Sequence, residues 1–111
     1  GILENENILT CGVIANKILE ELELDICFVG TQAINEKFEV RTPNIDKVDL
    51  KKTYLEKSKK KILVVDSSKF YKSKLYKICD LKDFNYIISD KEISEKEKKY
   101  IMKHKLEYIK V

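Results

Sequence analysis

Apolar residues along this chain follow two different spacings, and the two spacings alternate. Consecutive or alternating apolar residues predict strands at residues 25–30, 62–65, 84–90 and 106–111, with the end of another strand at residues 1–6. Apolar residues that recur every three or four positions predict amphipathic helices at residues 12–24, 46–60 and 94–104. Strands alternating with helices are typical of an α/β fold, in which right-handed crossovers build a parallel sheet. We therefore predict a parallel-sheet, Rossmann-like layer with helices on its faces.

Some segments carry sharper signals than others. The four aliphatic residues at positions 62–65 predict the central strand, buried on both faces as in a parallel sheet. Residues 31–44 show no apolar period and contain Pro43, the only proline, so we expect a long loop there. Residues 71–81 fit a short strand or a helical turn equally well. Ser94, followed three residues later by Glu97, forms a capping box that marks the start of the last helix.

The composition is that of one soluble globular domain. Among 111 residues, 37% are charged and 43% are hydrophobic, which is enough for a single core. The net charge is only +3 and Arg41 is the sole arginine, so nothing here indicates a nucleic-acid-binding surface. The lysine-rich run at residues 57–61 fits a solvated helix end better than a phosphate-binding patch. No apolar run is long enough to cross a bilayer, and no membrane partner is expected.

The cysteines and the histidine suggest no metal or redox chemistry. Cys11, Cys27 and Cys79 show no CxxC spacing, and His104 is the only histidine. This set supports neither a disulfide framework nor a metal site, and we expect no cofactor. Cys27 lies in an apolar strand and should be a buried thiol in a protein of the reducing cytoplasm. His104 fits a surface position that complements the helix dipole better than a catalytic role.

Polar residues follow the central strand directly, in the order Asp66, Ser67, Ser68 and Lys69. Ligands of open α/β sheets bind beyond the carboxyl ends of the strands, where such groups would be in position to contact them. A turn that only redirects the chain after a core strand explains the same residues equally well. On the local sequence alone, both interpretations stand.

Several segments, in order, resemble the C-terminal effector-sensing domain of DeoR-type bacterial transcriptional regulators, the family of the glycerol-3-phosphate, fructose and lactose repressors. Residues 25–30 are similar to the family's FDxxFIG strand, and residues 41–44 to its TTPN turn. Lys51 and Lys52 stand at its basic pair, and residues 62–70 match its xxLxDSSKF segment. Residues 78–90 and the last helix and strand also match. The similarity covers essentially the whole chain.

The resemblance implies a domain of the ribose-5-phosphate isomerase-like superfamily that binds a phosphorylated sugar or a related metabolite without turning it over. In the family this domain follows an N-terminal winged helix-turn-helix, and effector binding alters DNA affinity, usually to repress sugar metabolism. The expected partners are therefore a small-molecule effector, a second copy of the chain in a homo-oligomer, and DNA only through a domain outside this chain.

The resemblance also implies five effector-binding residues. Gly30 would let the backbone approach the ligand at a strand end. Thr42 would lie in the loop before the helix. Lys51 and Lys69 would supply cations for the phosphate, and Asp66 a carboxylate for sugar hydroxyls.

This chain departs from the family in two ways. Gln32 stands where the family carries an aspartate, and Lys47 where it carries a glutamate, so the expected pocket is less negative. The family's opening DSGTT turn has no match, and Gly1 aligns near the middle of the family domain. We therefore expect residues 1–111 to be the C-terminal part of the sensing domain, truncated at its N-terminus, with half of the pocket outside the chain.

Two other functions remain open at this point. A sugar-phosphate isomerase-like enzyme on the same fold would use Asp66 as its general base. A receiver-like or purely structural module would use Asp66 as a phospho-acceptor, although the neighbouring acidic pair such a module needs is not apparent.

Overall fold

A computed structural model describes residues 24–111. The predicted strand at residues 1–6 and the predicted helix from residue 12 lie outside the described residues. The described elements are, in chain order, β1 (Leu24–Gly30), β2 (Ala33–Ile34), β3 (Glu39–Thr42), α1 (Asp46–Lys57), β4 (Ser58–Val64), a 3-10 turn (Ser67–Lys69), β5 (Tyr76–Asp80), a second 3-10 turn (Leu81–Asp83), β6 (Tyr86–Ser89), α2 (Glu95–Lys103) and β7 (Glu107–Lys110).

Four strands form the parallel sheet that the spacing predicted. Their order is β1-β4-β6-β7, and every neighbouring pair runs parallel. Because the order advances in one direction and parallel crossovers are right-handed, the connecting elements belong on one face of the sheet. The α/β fold class, with a Rossmann-like parallel sheet, is confirmed.

A small antiparallel sheet occupies part of the crossovers. It has the order β2-β3-β5, with β3 pairing to β5 from Glu39↔Asp80 to Thr42↔Tyr76. The prediction of a long loop over residues 31–44 is therefore wrong. Both strands are short, β2 pairs only with β3, and the other partner of β3 is the distant β5, so no local period reveals them. Residues 71–81, left undecided above, contain β5.

The lysine-rich run also differs from its prediction. The helix ends at Lys57, and β4 begins at Ser58. Residues 59–61 are therefore strand, not helix end, because Leu24 pairs with Ser58 and Ile26 with Lys60 in the parallel ladder. Pairing with β1 overrides the weak local preference of lysine here.

The two faces of the parallel sheet differ in burial. One face joins α1, α2 and the small sheet in a single core that includes Cys27, confirming its burial, together with Val29, Leu63, Val65 and Ile87. On the other face, Ile26 is 49% exposed, Phe28 59%, Val64 44% and Ile109 44%. The prediction that the central strand is buried on both faces is therefore wrong for Val64.

The capping box of the last helix is confirmed. The Ser94 side chain accepts a hydrogen bond from the backbone N–H of Glu97, and the Glu97 carboxylate accepts one from the N–H of Ser94. The helix ends at Lys103, and His104 lies half-buried with its ring centroid 4.5 Å from that of Tyr100.

Candidate functional site

The carboxyl ends of three neighbouring strands meet at one edge of the parallel sheet. Gly30, the last residue of β1, pairs with Val64, the last residue of β4, and Val64 pairs with Ile88 of β6. Residues that follow these strands therefore emerge side by side. This is the edge at which open α/β sheets bind ligands.

The residues that follow β4 form a compact turn around one carboxylate. Asp66 caps the 3-10 turn of Ser67–Lys69, and its Oδ1 accepts hydrogen bonds from the N–H of Ser68, at 2.9 Å, and from the Ser68 hydroxyl. Its Oδ2 lies 3.9 Å from Lys69 Nζ. The Ser68 hydrogen bond in particular, with Lys69 adding to it, lowers the pKa of the Asp66 carboxyl. A carboxylate 57% exposed keeps room for further donors.

The loop after β6 anchors the start of this turn. Asp90 Oδ1 accepts a hydrogen bond from the N–H of Ser67, at 2.7 Å, and Val65 N–H donates to Ile88 O. Asp90 was not among the predicted site residues. Its position at the polar end of the strand predicted at residues 84–90 was the signal that could have marked it.

Lys51 reaches the same edge from α1. Its side chain is buried, at 9% exposure, and Nζ donates a hydrogen bond to Gly30 O at 2.7 Å. A lysine is rarely this buried unless its ammonium is paired. The structure thus brings the predicted residues Lys51 and Gly30 into direct contact, one strand away from Asp66 and Lys69.

Gly30 itself leaves open space. A Cβ built at this residue would meet Val64 O at 3.9 Å, an ordinary contact. Nothing in the described residues therefore requires glycine for packing. The ligand contact that the resemblance implies for Gly30 stays a prediction.

The expectation that Thr42 lies in the loop before the helix is wrong, because Thr42 is the last residue of β3. It lies in the small antiparallel sheet, its exposure is 0%, and its hydroxyl accepts a hydrogen bond from Asn44 N–H at 3.2 Å. This contact shapes the turn that leads into α1. The hydroxyl of Thr31, which was not predicted, lies 3.1 Å from Arg41 O and ties the end of β1 to β3.

The two departures from the family pattern lie close to this edge in sequence. Gln32 is exposed, two residues past the end of β1, and Lys47 is half-buried in the first turn of α1. Neither supplies a carboxylate. Asp66 and Asp90 are the carboxylates that follow β4 and β6 at this edge.

Two surface grooves lie elsewhere. One, of about 500 Å³, runs between α1 and β5 and is lined by Lys52, Leu55, Cys79 and others. Burial raises the pKa of the Cys79 thiol to about 12, so this thiol is protonated and unreactive at neutral pH. A second groove, of about 750 Å³, is lined by Arg41, Tyr71 and neighbouring residues. Neither lining includes a predicted site residue.

Within residues 24–111, no helix has the length and apolar composition needed to cross a membrane. In the same part of the chain, no three potential metal ligands converge.

Comparison with known proteins identifies relatives over most of the chain. The family model of the DeoR C terminal sensor domain matches residues 1–91. An uncharacterised HTH-type transcriptional regulator of Haemophilus influenzae is 34% identical over 95 residues, which are 86% of this chain and 37% of that protein. A putative aga operon transcriptional repressor of Escherichia coli O157:H7 is 37% identical over 79 residues, 71% of this chain and 29% of that protein.

An L-fucose operon activator of Haemophilus influenzae is 28% identical over 93 residues, 84% of this chain and 37% of that protein. The chain therefore spans roughly a third of the length of these curated relatives. Their names denote transcriptional regulators, and they include both an activator and a repressor.

Proposed function

The chain belongs to the DeoR C-terminal sensor domain family, and on that premise we propose that it is the effector-sensing part of a transcriptional regulator that binds a phosphorylated sugar or a similar metabolite. The effector would bind at the carboxyl edge of the parallel sheet, over the ends of β1 and β4. Binding would change the DNA affinity of a helix-turn-helix domain that lies outside this chain.

The observation that carries this proposal is the position of the Lys51 ammonium. Its contact with Gly30 O, at 2.7 Å, holds a cation at the end of β1 beside the turn that contains Asp66 and Lys69. A phosphate ester needs cations, and Lys51 and Lys69 supply two. Burial of the Lys51 side chain fixes its ammonium in place, so little freedom is lost when a phosphate binds.

The state of Asp66 favours binding over catalysis. A general base works best when its pKa is near the working pH. The Ser68 hydrogen bond lowers the pKa of the Asp66 carboxyl, which makes it a weak base but a constant acceptor for sugar hydroxyls. The regulators among the relatives agree with a sensing role rather than turnover.

Control of DNA binding would follow from unequal affinity for two states. An effector shifts a regulator only by the difference between its binding free energies to the two conformations. The edge that holds Lys51 and Asp66 joins loops from β1, β4 and β6, so a ligand there would select one arrangement of these loops. Repression and activation are both compatible with this scheme.

Calorimetry on the full-length regulator that contains this chain tests the effector half of the proposal. Glycerol 3-phosphate, fructose 1-phosphate, glucose 6-phosphate and inorganic phosphate would each be titrated, with unphosphorylated glycerol, fructose and glucose as matched controls. We expect saturable binding of at least one phosphate ester and none of its unphosphorylated partner. Equal binding of both members of a pair, or binding of no phosphate ester, would contradict the proposal.

The DNA half is tested in the gene that encodes this chain. We expect a winged helix-turn-helix upstream of residue 1, and a gel-shift midpoint for operator DNA that moves when the bound phosphate ester is added. A midpoint that does not move would contradict effector control.

A further inference from the structure

Glu97 is the one acidic side chain that is buried among residues 24–111, with 3% exposure. Its Oε1 accepts hydrogen bonds from Ser94 N–H and Lys91 Nζ, both at 2.8 Å. Its Oε2 accepts one from the Tyr71 hydroxyl at 2.5 Å. A capping box needs only the contact to Ser94. The second oxygen is thus available for a contact 26 residues earlier in the chain.

Tyr71, which makes this contact with Glu97, has an uncommon backbone conformation. Its φ is 58°, in the left-handed region that glycine adopts readily and a bulky residue rarely does. Strained residues persist where the surrounding structure holds them, and they cluster at functional loops. Here the phenol bonds to Glu97 while the Lys91 ammonium lies 5.9 Å from the ring centroid.

The segment between β6 and the first turn of α2 therefore holds the 66–71 loop at both ends. Asp90 binds the N–H of Ser67 at the start of the loop, and Glu97 binds Tyr71 at its end. Lys69 lies between the two anchored residues, and Asp66 directly precedes the first of them. A parallel bridge between Ile34 and Phe70 fixes the same loop to β2.

We propose that Glu97 and Tyr71 are positioning residues, which hold the 66–71 loop so that Asp66 and Lys69 face the effector, without touching the effector themselves. The part of this inference that concerns affinity rests on the proposed function. The part that concerns the order of the loop does not.

Replacement of Tyr71 by phenylalanine tests the inference with minimal change, because only the hydroxyl is lost. The matched control is Tyr100→Phe, which also removes a single hydroxyl, from a half-buried tyrosine. That hydroxyl accepts a hydrogen bond from Lys82 N–H at 2.9 Å, away from the loop. Both variants should unfold at slightly lower urea concentration than the wild type. A role in general stability alone predicts no other difference between them.

Two readouts separate positioning from stability. Amide hydrogen exchange at Ser68 and Lys69 should be faster in Tyr71→Phe and unchanged in Tyr100→Phe, measured without ligand. The Kd of the phosphate ester bound by the wild type should rise about three- to tenfold in Tyr71→Phe, because only part of the contribution of this charge-assisted hydrogen bond reaches the ligand contacts. It should stay the same in Tyr100→Phe. Glu97→Gln combined with Tyr71→Phe should give less than the product of the separate effects, because both variants break one contact.

The outcomes are distinct. Equal exchange rates in the two tyrosine variants would overturn the inference, whatever ligand binds. Faster exchange with an unchanged Kd would show that loop order does not control the effector contact, and would overturn the positioning role. If no phosphate ester binds the wild type, the proposed function fails and the exchange rates alone decide whether Glu97 orders the loop.

Discussion

Replacing Lys51 with methionine removes the ammonium that lies 2.7 Å from Gly30 O while keeping a side chain of similar length. The buried stem of the side chain continues to pack, so the variant separates the charge from the packing. A hydrogen bond made by a charged group contributes about 1.5–3 kcal/mol. Burial of the ammonium costs free energy that methionine does not incur.

In Lys51→Met, the lost hydrogen bond lowers the free energy of unfolding, whereas removal of the buried charge raises it. Gly30 is exposed, so water can replace the lost donor at its carbonyl. We expect the free energy of unfolding to change by less than about 1.5 kcal/mol. Binding should respond more strongly, because a phosphate ester would lose a charge-assisted contact worth about 1.5–3 kcal/mol, or roughly tenfold to more than a hundredfold in Kd.

Lys52→Met is the matched control. Lys52 is the next residue on α1, is exposed, and lines the groove between α1 and β5 instead of the sheet edge. One helical step turns its side chain by about 100° from that of Lys51. Urea unfolding and calorimetric titration would be run on both variants. The reasoning is refuted if the two variants weaken phosphate-ester binding equally, or if Lys51→Met leaves it unchanged.

Three further predictions follow from single contacts. Gly30→Ala should change the free energy of unfolding by less than about 1 kcal/mol, since the new Cβ meets only Val64 O at 3.9 Å. The same variant should weaken phosphate-ester binding, and unchanged calorimetric binding would contradict a ligand over Gly30. Ser94→Ala should lower stability in urea by about 1 kcal/mol, because Glu97 N–H loses its cap, and a negligible loss would contradict this. Burial and the Glu97 hydrogen bond raise the pKa of Tyr71 from 10.0 to about 12. The stability this contributes is complete below pH 10 and lost as pH rises towards 12. The wild type should therefore lose more stability than Tyr71→Phe across this window in alkaline denaturation, and parallel curves would refute the assignment.

Features that depend on neighbouring residues could be predicted from the sequence. The capping box needs only Ser94 and Glu97, three residues apart, and the structure forms it as predicted. The alternation of strand and helix spacings also sufficed for the parallel α/β fold, because each element reports its own periodicity.

Features that depend on pairing between distant parts of the chain could not be predicted from the sequence. β2 has two residues, too few to show a period, and β3 is a strand because Val40 pairs with Cys79 in β5. Lys60 looked like part of a helix end because nothing local shows that Ile26 lies opposite it. The exposed side of Val64 is a further case, since a run of aliphatic residues does not show which of its faces is covered.

The candidate site divides in the same way. The family resemblance supplied Gly30, Lys51, Asp66 and Lys69, but only the fold shows that Lys51 contacts Gly30. The fold also distinguishes Thr42 from these four residues, because its side chain is fully buried. Glu97 was recognised as half of a capping box, whereas its second oxygen contacts Tyr71, which no spacing along the chain could indicate.

The central claim is that a phosphate ester binds at the carboxyl edge of the parallel sheet. An amide NMR titration of the full-length regulator that contains this chain, with the phosphate ester that binds in calorimetry, tests it most directly. We expect saturable shifts at Gly30 and Thr31 and at Ser67, Ser68 and Lys69, and none of these shifts with the unphosphorylated sugar. Saturable shifts confined to the groove of Lys52 and Cys79, with none at the sheet edge, would contradict it.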